Sequence, residues 1–153
     1  MRTLGLDVGT KTIGVAVSDA LGLTAQTVTT VRRTNLKADL AALQKLVDEY
    51  EAQGFVVGLP LNMDGSEGPR AEATRRFVEV LLQAFSLPVD FWDERLSTVA
   101  AQRTLLEADL SRAKRREVID QMAAQFILQG WLDARHVAQA RAVREAEEDT
   151  SEE

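Results

Sequence analysis

The spacing of the apolar residues changes near residue 35, and this change constrains the fold more than any other feature of the chain. Before it, apolar runs and strict alternation are typical of β-strands joined by tight turns. The predicted strands cover residues 3–8, 12–18 and 24–32. Three consecutive strands with such short connections predict an antiparallel meander.

The next segment has helical spacing. Apolar residues that are four and three positions apart form one face of a predicted helix, and they are Leu36, Leu40, Leu43, Val47 and Tyr50. Asn35 can cap the start of this helix. Gly54 is expected to end it, because glycine adopts the left-handed conformation common after a helix.

Strand and helix patterns then alternate. Strands are predicted at 55–59 and 89–93. Three more helices are predicted, one with Ala73, Phe77, Val80 and Ala84 on its buried face, one from Ser97 to about Leu106, and one from about Glu117 into the 130s. Strands separated by helices are joined by right-handed parallel crossovers, so strands four and five should run parallel to strand one. The expected fold class is α/β, with a five-stranded mixed sheet flanked by about four helices.

The length of 153 residues suits one domain, expected at 1–140. Residues 141–153 are predicted to be a disordered acidic tail. Six carboxylates lie in 145–153, so the preceding 144 residues have no net formal charge although the whole chain has −6. The negative charge therefore does not exclude a nucleic-acid partner.

The composition also indicates where the protein works. The chain has no cysteine, which excludes disulfides and cysteine-ligated zinc and suits a reducing compartment. No apolar run approaches the roughly 18 residues of a membrane span. The first seven residues do not resemble a signal peptide, because Asp7 interrupts the apolar run. We expect a cytoplasmic protein with no membrane partner.

Four acidic residues occupy positions that suit chemistry. Asp7 ends the first strand, Asp93 and Glu94 end the fifth, and Asp120 lies within the apolar band of the last helix. A carboxylate is expensive to bury unless it is paired or bound to metal. Each acid also has a structural interpretation: Asp7 could cap a turn, the pair could favour a helix N-terminus, and Asp120 could reach water. Successive strand residues face opposite sides, so only one of Asp93 and Glu94 is expected to face Asp7.

The predicted topology brings the strand ends together at one sheet edge, where ligands of open α/β sheets bind. Carboxylates converging there would suit two Mg²⁺ or Mn²⁺ ions in phosphodiester hydrolysis. Lys11, Arg95 and Lys114 are candidate contacts to substrate phosphate, and Asn62 follows the fourth strand at the same edge. Each of these polar residues could equally be ordinary solvated surface.

Four segments together resemble one protein family. They are Gly5–Asp19, Val57–Gly68, Asp93–Thr98 and Ile119–Ala124. In order and spacing they are similar to the YqgF family, also called RuvX, of Holliday junction resolvases and pre-16S ribosomal RNA nucleases. The resemblance implies a ribonuclease H-like fold, a bacterial cytoplasmic nuclease, and Asp7, Glu94 and Asp120 as metal-binding acids. One departure is Thr12 after Lys11, where the family commonly has arginine.

The sequence thus predicts a divalent-metal-dependent endonuclease acting on four-way junction DNA or on precursor ribosomal RNA. Symmetric cleavage of a junction would call for a homodimer. Two alternatives stay open. One is a nucleic-acid-binding module without catalysis. The other is a nucleotide-binding protein of the actin and hexokinase type, because Asp7-Val8-Gly9-Thr10 resembles their phosphate loop.

Overall fold

The computed structural model describes residues 1–96 and 112–151, with the backbone alone over 112–117. Five strands form one sheet, and they are β1 (Leu4–Val8), β2 (Thr12–Ser18), β3 (Ala25–Arg32), β4 (Phe55–Leu59) and β5 (Val89–Asp93). Their order across the sheet is β3-β2-β1-β4-β5. The first three are antiparallel neighbours, whereas β4 is parallel to β1 and β5 is parallel to β4. The predicted mixed sheet is confirmed.

The described part of the chain contains three α-helices. They are α1 (Leu36–Tyr50), α2 (Pro69–Ala84) and α3 (Arg112–Ser151), and a short 3-10 helix covers Glu94–Leu96. The helix predicted from Ser97 to about Leu106 lies outside the described residues. No described helix combines the length and apolar character that crossing a membrane requires.

The start of α1 was predicted correctly, but its end was not. Asn35 caps its start as predicted, because the side-chain oxygen accepts a hydrogen bond from Ala38 N at 2.9 Å. The predicted end at Gly54 is wrong. The left-handed residue is Glu51, with φ of 53°. Gly54 directly precedes β4, and its carbonyl accepts a hydrogen bond from Leu4 N of β1 at 3.0 Å.

The buried face of α2 also differs from the prediction. The buried residues are Ala71, Thr74, Phe77, Val78 and Leu81. Ala73 and Ala84, predicted on this face, are exposed. A polar residue can be buried here because the Thr74 hydroxyl donates to Arg70 O at 3.0 Å within the helix.

The two faces of the sheet are covered by different helices. On the α1/α2 face, large apolar side chains of the strands, such as Leu6 and Val15, pack with Leu43 of α1 and Phe77 of α2. On the α3 face the strands contribute smaller residues such as Ala16, which pack with Ala124, Ile127 and Leu128 of α3. Alternation along each strand assigns neighbouring residues to opposite faces.

The helix α3 continues beyond the sheet. Residues 133–151 are all exposed except His136, which is half-buried. Residues 141–151, which belong to the segment predicted to be a disordered tail, are part of this helix. Its alanine, arginine and glutamate residues have high intrinsic helix propensity, which offsets the acidic composition that suggested disorder.

Candidate active site

Asp7 lies on the α3 face of the central strand β1. Its neighbours Leu6 and Val8 belong to the core on the α1/α2 face. Gly5 shares its face with Asp7, and a Cβ at Gly5 would lie 2.7 Å from Leu128 Cβ of α3. Asp7 is half-buried and pairs across the strands with Gly14 of β2. The carboxylate thus stands beneath α3, in the middle of the sheet.

Asp120 is brought to the same place by close contact between α3 and β2. A Cβ at Gly14 would lie only 1.9 Å from Asp120 O, so only glycine allows the helix backbone to lie this near the strand. The Asp120 side chain is held from β2 as well, since Thr12 Oγ1 donates to Asp120 Oδ2 at 2.5 Å. Asp120 therefore lies beside the cross-strand partner of Asp7.

Glu94 approaches from the opposite side of Asp7. A Cβ at Gly58 would lie 3.0 Å from Glu94 Oε1 and 2.4 Å from Ile127 Cδ1 of α3. Because Leu6 pairs with Val57 in parallel register, the next position places Gly58 beside Asp7. The Glu94 carboxylate thus lies over β4 on the α3 face, and the three predicted acids share one face of the sheet around Asp7.

Asp93, the neighbour of Glu94 in the chain, is hydrogen-bonded to Arg95. Its carboxylate accepts from Arg95 Nη2 at 2.7 Å and from the Arg95 backbone N at 2.9 Å. The Arg95 side-chain hydrogen bond holds the pKa of Asp93 below its ordinary value. Arg95 also donates to Met63 O at 3.4 Å. The structure therefore places Arg95, a predicted substrate contact, between the end of β5 and the loop after β4.

The three acids do not form a ready ligand set. Within the described part of the chain, no three His, Cys, Asp or Glu residues are grouped so that they could hold a metal ion. Asp120 Oδ2 is turned toward Thr12 of β2. The carboxylates have the donor chemistry that Mg²⁺ prefers. Their side-chain oxygens as placed do not converge on a common point.

Two of the remaining predicted substrate contacts, Lys11 and Asn62, lie in loops next to the strand ends and differ in their surroundings. Lys11 is exposed in the β1–β2 turn, where its carbonyl accepts from Arg33 N at 2.8 Å. Asn62 is exposed, and its Nδ2 donates to Ser66 Oγ at 2.9 Å within the loop after β4. The Lys114 side chain lies outside the described residues.

The sequence interpretation missed two groups of residues near the site. Thr12 could have been found from the alternation of β2, which puts it on the same face as Gly14. Two arginines bind backbone carbonyls at the β1–β2 turn: Arg33 Nη1 donates to Gly9 O at 2.8 Å, and Arg70 Nη2 donates to Val8 O at 3.4 Å. Long-range contacts of this kind leave no signal in local sequence spacing.

Comparison with known proteins identifies the family of this chain. A family model described as "RuvX: Holliday junction resolvase" matches residues 1–134. A relative from Myxococcus xanthus is 75% identical over 134 residues, covering 88% of this chain and 89% of its own length. One from Moorella thermoacetica is 66% identical over 133 residues, covering 87% and 95%. Both carry the name "Putative pre-16S rRNA nuclease".

A solved structure is similar in fold. It is Thermus thermophilus RuvC in complex with a Holliday junction substrate, with a TM-score of 0.57 and 13% identity. The match covers 89% of this chain and 96% of RuvC. Identity this low supports the fold alone, whereas the family match covers all five strands, α1, α2 and the part of α3 up to residue 134. The chain belongs to the RuvX family, also called YqgF, a family of nucleases with a ribonuclease H-like fold.

Proposed function

We propose that this protein is a divalent-metal-dependent endonuclease whose metal-holding residues are Asp7, Glu94 and Asp120. One observation carries the proposal: Asp7 stands between two glycines, and the other two acids lie against those glycines. Asp120 backbone lies over Gly14, and Glu94 Oε1 lies over Gly58. A Cβ at Gly14 would collide with the Asp120 backbone, and a Cβ at Gly58 would lie 3.0 Å from Glu94 Oε1, so a side chain at either glycine would displace one of the acids.

The chemistry requires the three carboxylates to act together. Bound Mg²⁺ or Mn²⁺, proposed as a pair of ions, would supply an activated water and stabilise the leaving oxygen. The protein contributes position: β1 fixes Asp7, and the packing of α3 on Gly14 fixes the backbone of Asp120. Because the oxygens as placed do not form a ligand set, binding requires side-chain rotation toward a common point. The strand and helix backbones that carry the acids need not move for this.

Glu94 is preferred to Asp93 as the ligand from the end of β5. Asp93 pairs with Leu59 in the sheet register, next to the Trp92–Gly58 pair on the α3 face. Alternation therefore directs Asp93 away from Asp7. Its oxygens already accept three hydrogen bonds from the Arg95 side chain and one from the backbone.

We propose precursor 16S ribosomal RNA as the first candidate substrate, because the highly identical relatives carry that activity in their names. Four-way junction DNA is the second candidate, supported by the description of the family model. Symmetric cleavage of a junction needs two active sites, so a homodimer is proposed only for that substrate. Contacts to phosphate serve either nucleic acid, since only 2′-hydroxyl contacts separate RNA from DNA.

The test is cleavage of both substrates in Mg²⁺, Mn²⁺ and EDTA by wild type, Asp7→Asn, Glu94→Gln and Asp120→Asn. We expect each of these three variants to lose turnover while keeping the wild-type melting temperature within a few degrees. Asp93→Asn is the matched control, because it removes a neighbouring charge that faces away from Asp7, and it should keep turnover.

Several outcomes would contradict the proposal. Unchanged cleavage by all three variants would reject the site, and cleavage in EDTA would reject the metal. Binding without turnover in any metal would favour the non-catalytic module. Saturable binding of ATP with no nucleic-acid binding would favour the actin and hexokinase alternative.

A further inference from the structure

Two consecutive arginines at the end of β3 have opposite surroundings. Arg33 makes an ion pair with the buried Asp39, with 3.3 Å between Nε and Oδ2. Its guanidinium also lies 5.1 Å from the centre of the Phe77 ring and donates to Gly9 O. Arg33 therefore belongs to the α1/α2 side, where it holds α1 and the β1–β2 turn in place.

Arg32 lies on the other side of the sheet. It pairs with Thr12 in the antiparallel register of β2 and β3. Directly opposed residues in such a pair project to the same face. Since the Thr12 hydroxyl reaches Asp120, Arg32 is on the α3 face, beside the residue that holds Asp120.

The Arg32 side chain is available for a ligand. It is exposed. Among residues 1–96 and 118–151 it has no side-chain hydrogen bond or ion pair. Because β3 is an edge strand of the sheet, none of the five described strands lies between Arg32 and solvent. A guanidinium in this position is a ready phosphate ligand, with several N–H donors in a planar fork.

We propose that Arg32 binds a backbone phosphate of the nucleic-acid substrate next to the phosphate held at Asp7 and Asp120. This inference rests on the proposed nuclease function. The positive charge offsets the repulsion between the acidic site and the polyanion, and it fixes the strand that enters from the β3 edge. Arg32 acts as a binding residue with no role in reading the base sequence.

The experiment measures equilibrium binding of precursor RNA and of four-way junction DNA as a function of NaCl concentration, in EDTA to prevent cleavage. For Arg32→Ala we expect the slope of log K against log salt to become less steep by about 1, the loss of one phosphate contact. Arg32→Lys keeps the charge and should restore the slope. In Mg²⁺, KM should rise for Arg32→Ala while kcat stays within about twofold, since uniform binding is lost.

Arg2→Ala is the matched control. Arg2 is also exposed, but it precedes β1 at the opposite end of the sheet, where its carbonyl accepts from Gln53 N. Its removal should leave the salt slope at the wild-type value. Both variants should melt at the wild-type temperature, because neither side chain is buried.

The outcomes separate this inference from the function on which it rests. A wild-type protein that cleaves, combined with an unchanged slope in Arg32→Ala, overturns the role of Arg32 alone. Equal slope changes in Arg32→Ala and Arg2→Ala overturn it too, because they indicate a general charge effect. A wild-type protein that neither binds nor cleaves overturns both proposals.

Discussion

The same strands form both faces of the sheet, but the two faces differ in the side chains they carry. The α1/α2 face is filled with leucine, isoleucine, valine and phenylalanine side chains. The strands present several small residues to α3, among them Ala16 and the glycines at positions 5, 14 and 58, and this face also carries Asp7. Bulky side chains hold α1 and α2 away from the strands, whereas small ones let α3 lie against them. Close approach of the α3 backbone is what brings Asp120 to Asp7.

The comparison shows how one strand can serve stability and chemistry together. In β1, the residues on one face are buried hydrophobics and the residues on the other are Gly5 and Asp7. Truncating a buried side chain on the first face should therefore reduce the stability of the fold, whereas replacing Asp7 on the second face should reduce activity. The predictions below test this division.

The largest effect is expected on the α1/α2 face. Leu6 is fully buried, so Leu6→Ala leaves a cavity and should lower the free energy of unfolding by about 2–5 kcal/mol. Its turnover per folded molecule should stay near wild type. The adjacent Asp7→Asn should do the reverse, with a much smaller stability change and no turnover. Denaturant unfolding and cleavage assays on both variants check this, and a stable but inactive Leu6→Ala would break the division.

A smaller stability effect is expected on the α3 face. In Gly14→Ala the new Cβ meets Asp120 O at 1.9 Å, so α3 must shift. Overpacking of this kind should cost about 1–3 kcal/mol, and the displaced Asp120 should lower turnover. Gly54→Ala is the matched control, because its Cβ would only touch Pro88 at 3.4 Å. Equal stability and activity in the two variants would mean that close packing of α3 is unimportant.

The smallest change in stability is expected for Asp93, which ends β5 on the face of the sheet opposite to Asp7. Its pKa is lowered by Arg95, so the charged pair stabilises the fold above the unfolded-state pKa of about 3.9 and loses that contribution as pH falls through the folded value. Asp93→Asn should cost less than about 1 kcal/mol near pH 7, because the pair is partly exposed. The difference from wild type should shrink below about pH 4. A difference that stays constant from pH 7 to pH 3 would contradict this.

Much of the sheet could be predicted because alternation and helical spacing are local. The strands 55–59 and 89–93 occur with the predicted bounds, and the parallel placement of β4 and β5 followed from the intervening helices. The same reasoning brought Asp7 and the end of β5 to one edge. It also predicted that only one residue of the pair Asp93 and Glu94 faces Asp7. In the register of β4 and β5, Asp93 pairs with Leu59, so Asp93 lies on the face opposite to Asp7.

What escaped prediction depends on contacts between distant parts of the chain. Gly54 looked like a helix end, but hydrogen bonding to β1 makes it part of the sheet entry. Burial of Thr74 depends on a hydrogen bond inside α2. The Thr12–Asp120 bond joins residues 108 positions apart. Sequence spacing could suggest three acids on one face, but it could not give the directions of their oxygens.

The length of α3 has a mechanical consequence. This helix of 40 residues, about 60 Å at 1.5 Å per residue, carries Asp120 near one end and finishes at Ser151. Its contacts with Gly14, Gly58 and Gly5 lie between Asp120 and Leu128, so the sheet holds the N-terminal part of the helix at several points. One continuous helix therefore joins the largely exposed residues 133–151 to the segment that presents Asp120 to the sheet.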